Sequence, residues 1–488
     1  MLIYMLDFVI ENTKRFISSV PKSKRKVYGQ FFTSKESARF MAEMFDIDLT
    51  LPEIRLLDAG CGTGILTAAW IDLARAKGYR GKIHVTCYET DPKVIPVLTE
   101  NLEHIKANCN VEYTIKDENY ITTQQFESND LFAPEPAQYD YIIGNPPYKK
   151  IAKDAPEAQL MPSVCYGAPN LYSLFCCMGI RNLRQEQELV YIIPRSWTSG
   201  AYFDYFRRFL LSNCVLTNIH LFASRDKVFD GEAVLQETMI IKLKKTQNIP
   251  ECIHMTTSST SDFNDVQAFD APYSTIVGRN RYVYLVTSRE QADVLTKVNK
   301  MPTTLPQINM PMKTGLIVDF RTREELRDEM GEGCYPLLYS QHIQEGRVVW
   351  PQGKEGECIQ TTQRSHLQRN GNYLLVKRFT AKEEKRRLQC GIYLQQRYSE
   401  YEYISTQNKV NFIYCESPCA TYGLYVLLNS TLYDEYYRIL NGSTQVNSTE
   451  INAMPIPERN IIEEMGRELM HKELTEANCN KIIEQWIK

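Results

Sequence analysis

The sequence predicts an α/β protein: a mostly parallel sheet with helices on both faces, followed by a separate mixed α and β domain. Three observations predict it. From about residue 53 to 245, short β-branched or aromatic runs alternate with longer helical patterns, the order that builds a parallel sheet through crossover helices. An early run ends in a glycine-rich turn that opens a helix, Asp58-Ala59-Gly60-Cys61-Gly62-Thr63-Gly64. Between about 246 and 300 the pattern loosens into Ser, Thr, Asp and Asn (TTSSTSDFNDVQ), which reads as a connecting region, and beyond it short aromatic-rich strands take over. Such a change of texture marks a domain boundary, and the expected domains are residues 1–298 and 299–488.

The elements follow in order. MLIYMLDFVIENTKRF is apolar but broken by Asp7 and Glu11, with no basic region ahead of it and no small-residue cleavage site, so it reads as a first helix and not as a leader. RLLDAG is a strand running into a helix from Ile65, and IHVTCYE is a strand followed by a helix from Pro92. YDYIIGN is a strand, LYSLFCCMGIRNL a helix, and ELVYIIP and AVLQETMIIKLKK are strands. Within the loosened region RYVYLV is expected as one strand. In the second half Asn370-Gly371 and Asn441-Gly442 signal turns, and a helical tail runs to Lys488.

With 43% hydrophobic and 24% charged residues over 488 positions, the chain can bury more than one core. No apolar run approaches the roughly 18 residues of a membrane span, which leads us to expect a soluble, cytoplasmic protein without a membrane partner. The fourteen cysteines are scattered, and neither Cys176-Cys177 nor Cys415 with Cys419 has partners at zinc-ligand spacing. Reduced thiols and no metal are expected. The net charge of -3 leaves a polyanionic partner open, because phosphate is bound by a local basic face. Two clusters qualify, Lys22 to Lys26 (KSKRK) and Lys377 to Arg387 (KRFTAKEEKRR).

The glycine turn lets the backbone bend sharply and a ligand approach it closely. Its spacing is not the Gly-x-Gly-x-x-Gly of a dinucleotide site, and no Gly-Lys-Ser/Thr follows to hold a triphosphate. A nucleoside without phosphates fits better. The next strand ends in Cys87-Tyr88-Glu89-Thr90-Asp91, which places an acid where a carboxylate accepts both hydroxyls of a ribose. Glu89 is preferred to Asp91 because it ends the strand more directly. The combination resembles the S-adenosylmethionine site of class I methyltransferases, and the resemblance implies that Gly60, Gly62 and Gly64 line the cofactor and that Asp58 faces its methionine part.

The strand YDYIIG runs into Asn145-Pro146-Pro147-Tyr148. Each proline fixes its own φ and lacks an N–H, and Pro147 pushes Pro146 toward an extended conformation. The product is a stiff turn presenting acceptors. If Asn145 Oδ1 and the Pro146 carbonyl each accept one N–H of an exocyclic amine, they stabilise the positive charge that develops during methyl transfer. Tyr148 offers a flat face to a base that has left the duplex.

Asn-Pro-Pro-Tyr in this setting is the signature of amino methyltransferases acting on adenine N6, on rRNA guanines or on a glutamine amide. Further stretches resemble the gamma class of DNA adenine-N6 methyltransferases. Tyr28-Gly29-Gln30-Phe31-Phe32-Thr33-Ser34-Lys35 resembles the cofactor-covering segment, with Thr33 near the methionine end. Asp117, next to Glu118, resembles the acid that accepts from the cofactor's adenine amino group. Asn170 to Phe175 and Tyr191 to Trp197 keep the family's order, and Asp226-Lys227-Val228-Phe229 resembles the segment whose aromatic packs on the flipped adenine. Phe229 would then face Tyr148 across the base.

Lys313-Thr314-Gly315 with Asp319-Phe320-Arg321, the Lys377–Arg387 run, and Asn441 to Asn447 look like the C-terminal halves of the PstI/BsuBI group of type II modification methyltransferases. For that group the resemblance implies duplex DNA containing CTGCAG, methylated on adenine, and functional pairing with a separately encoded restriction endonuclease. A DNA enzyme needs surface to read bases and hold phosphates, so 1–298 is expected as the catalytic, S-adenosylmethionine-binding domain and 299–488 as the DNA target-recognition domain. Lys377, Arg378, Lys382, Lys385, Arg386 and Arg387 are the expected DNA contacts, the alternative being a solvated helix with pairs such as Glu383 and Arg387. A monomer is expected. The rival readings are the same fold acting on RNA or a protein glutamine, and a non-catalytic DNA-binding relic.

Overall fold

The apolar alternation of Glu53–Ala59 makes it β1, the strand on which the first half is built. β2 (Lys82–Tyr88) and β3 (Val111–Lys116) add in parallel on one side, and β4 (Tyr139–Gly144) and β5 (Leu183–Pro194) on the other. Four later strands complete the sheet: β6 (Val215–Phe222), β7 (Thr238–Lys244), β8 (Cys252–Ser258) and β9 (Gln267–Pro272). Their order is β3-β2-β1-β4-β5-β7-β6-β8-β9, with β7 antiparallel to both of its neighbours. The computed structural model describes residues 4–21, 32–127, 137–222, 238–278, 281–381, 384–440 and 444–487.

Helices Met5–Ser19, Lys35–Glu43, Ile65–Ala76 and Ile95–Asn108 form one layer. There Trp70, Phe45 and Tyr141 pack with the pleat-alternate residues Ile54 and Leu56 of β1. Helices Leu171–Asn182 and Asp204–Asn213 pack together, the first also against β5. Every residue of β4 is buried, as expected for a strand covered on both faces. Among the described residues no helix is long and apolar enough to cross a membrane.

Three expectations are corrected. The helix predicted from Pro92 begins at Ile95, because Asp91 first closes a turn, accepting from Lys93 N through its side chain and from Val94 N through its carbonyl. RYVYLV is not a strand: Val283 makes one bridge to Val277, and its N–H goes to Thr198 O. The polar stretch after residue 246 is no plain connector, since β8 and β9 extend the sheet. Its hydroxyls are used internally: buried His220 on β6 meets Thr256 Oγ1 at 2.9 Å and Ser258 Oγ at 3.1 Å.

The chain divides into two compact units, Met1–Arg289 and Glu290–Lys488. The division falls at the start of helix Arg289–Asn299 and not at its end, where the sequence placed it. The second unit holds a six-stranded and a five-stranded sheet, with helices that include Pro418–Leu428, Thr431–Leu440, Arg459–Leu469 and Glu476–Trp486.

Away from the strand tips, Lys242 of β7 is buried and lies 2.9 Å from Glu188 of β5 and 2.6 Å from exposed Asp46. Glu188 also accepts from Asp46 N at 2.9 Å. Removing one member of a buried pair leaves an uncompensated charge. Glu188→Ala is therefore expected to destabilise the protein by about 3 kcal/mol in urea unfolding; an unchanged midpoint would show that Asp46 alone compensates Lys242.

Candidate active site

Register decides where the site forms. Asp58 of β1 is opposite Cys87 on one side and Ile143 on the other, so the carboxyl ends of β1, β2 and β4 lie level. Strand order also reverses beside β1, the position where open α/β sheets leave a crevice. A cavity of about 310 Å³ opens there, lined by Thr33, Gly60, Gly62, Glu89, Asn145 and Pro147 among others.

The turn after β1 holds Gly60, Gly62 and Gly64 at φ of 71°, 57° and 83°. At Gly62 a side chain would be strained by the backbone and would meet the Phe32 ring at 3.7 Å. Gly62 N–H instead donates to Glu89 Oε2 at 3.0 Å, while Thr90 N and Asp91 N donate to Oε1 at 2.8 Å each. Burial pushes the Glu89 carboxyl up, and the three N–H groups pull the other way. Glu89 thereby fixes the glycine turn and the tip of β2 to one another.

Asp58 is fully buried and is not on the cavity wall. Thr67 Oγ1 donates to its Oδ2 at 2.8 Å, and Oδ1 meets no hydrogen-bond partner among the described residues. An orphaned carboxylate oxygen directly before the lined turn suits a cationic ligand group nearby. Of the predicted acid pair, Asp117 is exposed and off the wall, whereas Glu118 and Asn119 line it. β3 ends at Lys116, and Asn119 Oδ1 caps the following turn by accepting from Ile121 N and Thr122 N. Asn119 Nδ2 donates to Glu157 Oε1 at 2.8 Å.

Asn145 continues β4 onto the wall, half-buried. Its Nδ2 donates to Thr33 Oγ1 at 3.2 Å, and its Oδ1 accepts from the Tyr148 hydroxyl at 2.9 Å. That hydroxyl is also 3.0 Å from Ile192 O of β5, so one proton serves two acceptors. The Tyr148 ring stands edge-on to Tyr172 with centroids 6.3 Å apart, off the wall. Pro146 is buried. Sequence reasoning missed Lys149, Glu157 and Phe175 on the wall; Phe175, in the motif Asn170 to Phe175, carried the only signal. Phe229, Tyr28 to Phe31 and Lys22 to Lys26 lie outside the described residues.

In the second unit the described residues of the basic run are not helical: Lys377 ends strand Asn372–Lys377, and residues 378–381 and 384–389 are loop before strand Cys390–Tyr393. Arg387 is 1% exposed, donating through Nε to Thr380 Oγ1 at 3.2 Å and through its backbone N–H to Asp434. Arg386 reaches Leu428 O and Ser430 O at 3.2 Å and pairs with Glu476 at 3.1 Å. Both guanidinium groups are occupied inside the fold, which corrects the expectation that they contact DNA. Lys377 and Arg378 are half-buried, Lys385 is exposed, and Lys382 is outside the described residues.

A parallel sheet of this order, with a glycine turn after its first strand, an acid at the tip of the second and Asn-Pro-Pro-Tyr after the fourth, defines an S-adenosylmethionine-dependent methyltransferase. Residues 54–229 match the family model of the Eco57I restriction-modification methylase. The chain is 32% identical to the type II methyltransferase M.PstI of Providencia stuartii over 483 residues, 96% of this chain and 94% of that protein. To M.BsuBI of Bacillus subtilis it is 32% identical over 474 residues, 94% and 93% of the two chains. M.HincII of Haemophilus influenzae is 24% identical over 261 residues, 52% and 44%. The chain belongs to the type II methyltransferases of DNA restriction-modification, and S-adenosylmethionine is its methyl donor.

Burial pushes the Asp58 carboxyl up to about 7, against the Thr67 hydrogen bond and with a further push from Glu89. Its ordinary value is 3.8, so between these values the folded chain holds a proton that the unfolded chain has released. The charge therefore destabilises the fold fully above pH 7, and the penalty fades as pH falls toward 4. Without cofactor, Asp58→Asn is expected to raise Tm at about pH 8.5 and much less at about pH 5. An equal gain at both would remove the titration from the account.

Proposed function

We propose that this chain transfers a methyl group to N6 of an adenine flipped out of duplex DNA, within CTGCAG. The mark would protect the DNA against a separately encoded restriction endonuclease, with the chain working as a cytoplasmic monomer. The observation that carries the reading is the Asn145 carboxamide, held on the cavity wall by Thr33 at one end and Tyr148 at the other.

Asp58, the glycine turn and Glu89 would hold the cofactor, Glu89 accepting from the ribose, with Glu118 and Asn119 beside the adenine end in place of Asp117. S-adenosylmethionine, when bound, supplies an electrophilic methyl. The target amine is a weak nucleophile because its lone pair is delocalised into the ring. Asn145 Oδ1 and the Pro146 carbonyl accept its two N–H groups, aim the lone pair, and stabilise the charge that develops on nitrogen. The Tyr148 hydroxyl, donating to Oδ1 at 2.9 Å, orients that oxygen. Neither acceptor is basic enough to keep a proton, which leaves to solvent. The Tyr148 ring, with Phe229 opposite, would hold the flipped base.

Asn145→Ala is expected to abolish methylation while leaving S-adenosylmethionine binding intact. The test compares wild type and variant by single-molecule sequencing of genomic DNA from expressing cells, with calorimetry for the cofactor; a persisting mark in the variant would sink the mechanism. Tyr148→Phe keeps the ring and deletes one neutral hydrogen bond of about 1 kcal/mol, so single-turnover methyl transfer should slow roughly five-fold. Tyr148→Ala, which also removes the ring, should cost more, and equal rates for the two variants would assign the whole effect to the hydroxyl.

A further inference from the structure

The three C-terminal stretches that resemble the PstI/BsuBI group are far apart in sequence, yet two of them brace a fourth stretch that the sequence did not flag, and the third closes over the second. That stretch is the turn Gln407–Val410, closed by Val410 N to Gln407 O at 2.9 Å and by Lys409 N to Gln407 Oε1 at 2.8 Å. On one side Gly315 N donates to Val410 O at 2.8 Å, Ile317 N to Thr406 O at 3.0 Å, and Asn408 N to Ile317 O at 2.7 Å. Gly315 is required there, because a Cβ would stand 2.1 Å from Gln407 O. On the other side Arg378 N donates to Lys409 O at 3.0 Å, and the Arg378 guanidinium to Asn408 O at 3.0 Å. The third stretch closes over Arg378 and Thr380: Val446 N reaches Arg378 O at 2.7 Å, and Thr380 N reaches Thr444 O at 3.1 Å.

We infer that this braced turn, with Lys409 at its tip, Lys313 beside it and the Phe379 ring at its flank, is a surface through which the second unit grips duplex DNA. The inference rests on DNA being the substrate. Lys409 and Lys313 are exposed, and Phe379 is 51% exposed with Arg378 5.6 Å from its ring centroid. Solvated lysines on a fixed backbone suit phosphates, which position a protein on the duplex. A large ring left in water beside a cation is poor core material but packs well on sugars and base edges in a groove. Arg378 acts as a positioning residue: its contacts fix the turn. The bracing means little ordering entropy is lost when DNA docks.

The test measures the affinity of the full-length protein for a fluorescent CTGCAG duplex by anisotropy across a salt series, with cofactor calorimetry to show that each variant is folded. Lys409→Ala should weaken binding about three- to ten-fold at low salt and flatten the log K against log salt slope by about one, and adding Lys313→Ala should flatten it again. Phe379→Ala should weaken binding with the slope unchanged. Variants indistinguishable from a wild type that binds the duplex would overturn this surface and leave the substrate reading standing. A wild type that binds only structured RNA, or no nucleic acid, would overturn both.

Discussion

The parallel register of β1 with its two neighbours is the constraint on which the site depends. Because Asp58 is level with Cys87 and Ile143, three loops leave the sheet at the same height. The glycine turn, the acidic tip of β2 and the rigid Asn-Pro-Pro-Tyr turn are thereby brought round one cavity. A slip of one residue in β4 would send Asn145 to the opposite face. Every residue of β4 is buried, and Asp140 within it accepts from Arg55 N of β1 at 2.8 Å and pairs with Arg184 of β5 at 2.7 Å, contacts that a slipped register would lose.

Preorganisation at the site is built from ordinary bonds. Glu89 ties the glycine turn to β2, and Tyr148 ties Asn145 to the backbone of β5. An acceptor aimed before the substrate arrives need not be reoriented during the reaction, which is where electrostatic catalysis gains most. The cost appears at Asp58, a fully buried carboxyl whose Oδ1 has no hydrogen-bond partner among the described residues.

Local pattern was enough to read the strands that carry the cavity, β1, β2 and β4, but not β6, β8 or β9. The strand, glycine turn and helix at Leu56 to Ala76 are written in apolar spacing, and two prolines after Asn145 announce a stiff turn. What escaped depends on distant partners. Arg386 and Arg387 look like surface cations until Asp434 and Glu476 fold against them. Thr256 and Ser258 look like linker until His220 claims their hydroxyls. Asp117 lies off the cavity wall that Glu118 and Asn119 line, a difference of one or two residues that no periodicity resolves.

The division at Arg289 has an evolutionary consequence. Each unit closes its own sheets and cores within one continuous stretch of chain, so a single recombination event in the gene near that codon exchanges one whole unit without cutting through a sheet. Lineages carrying such genes can inherit the chemistry from one parent and the second unit from another, and selection then acts on combinations as well as on point changes.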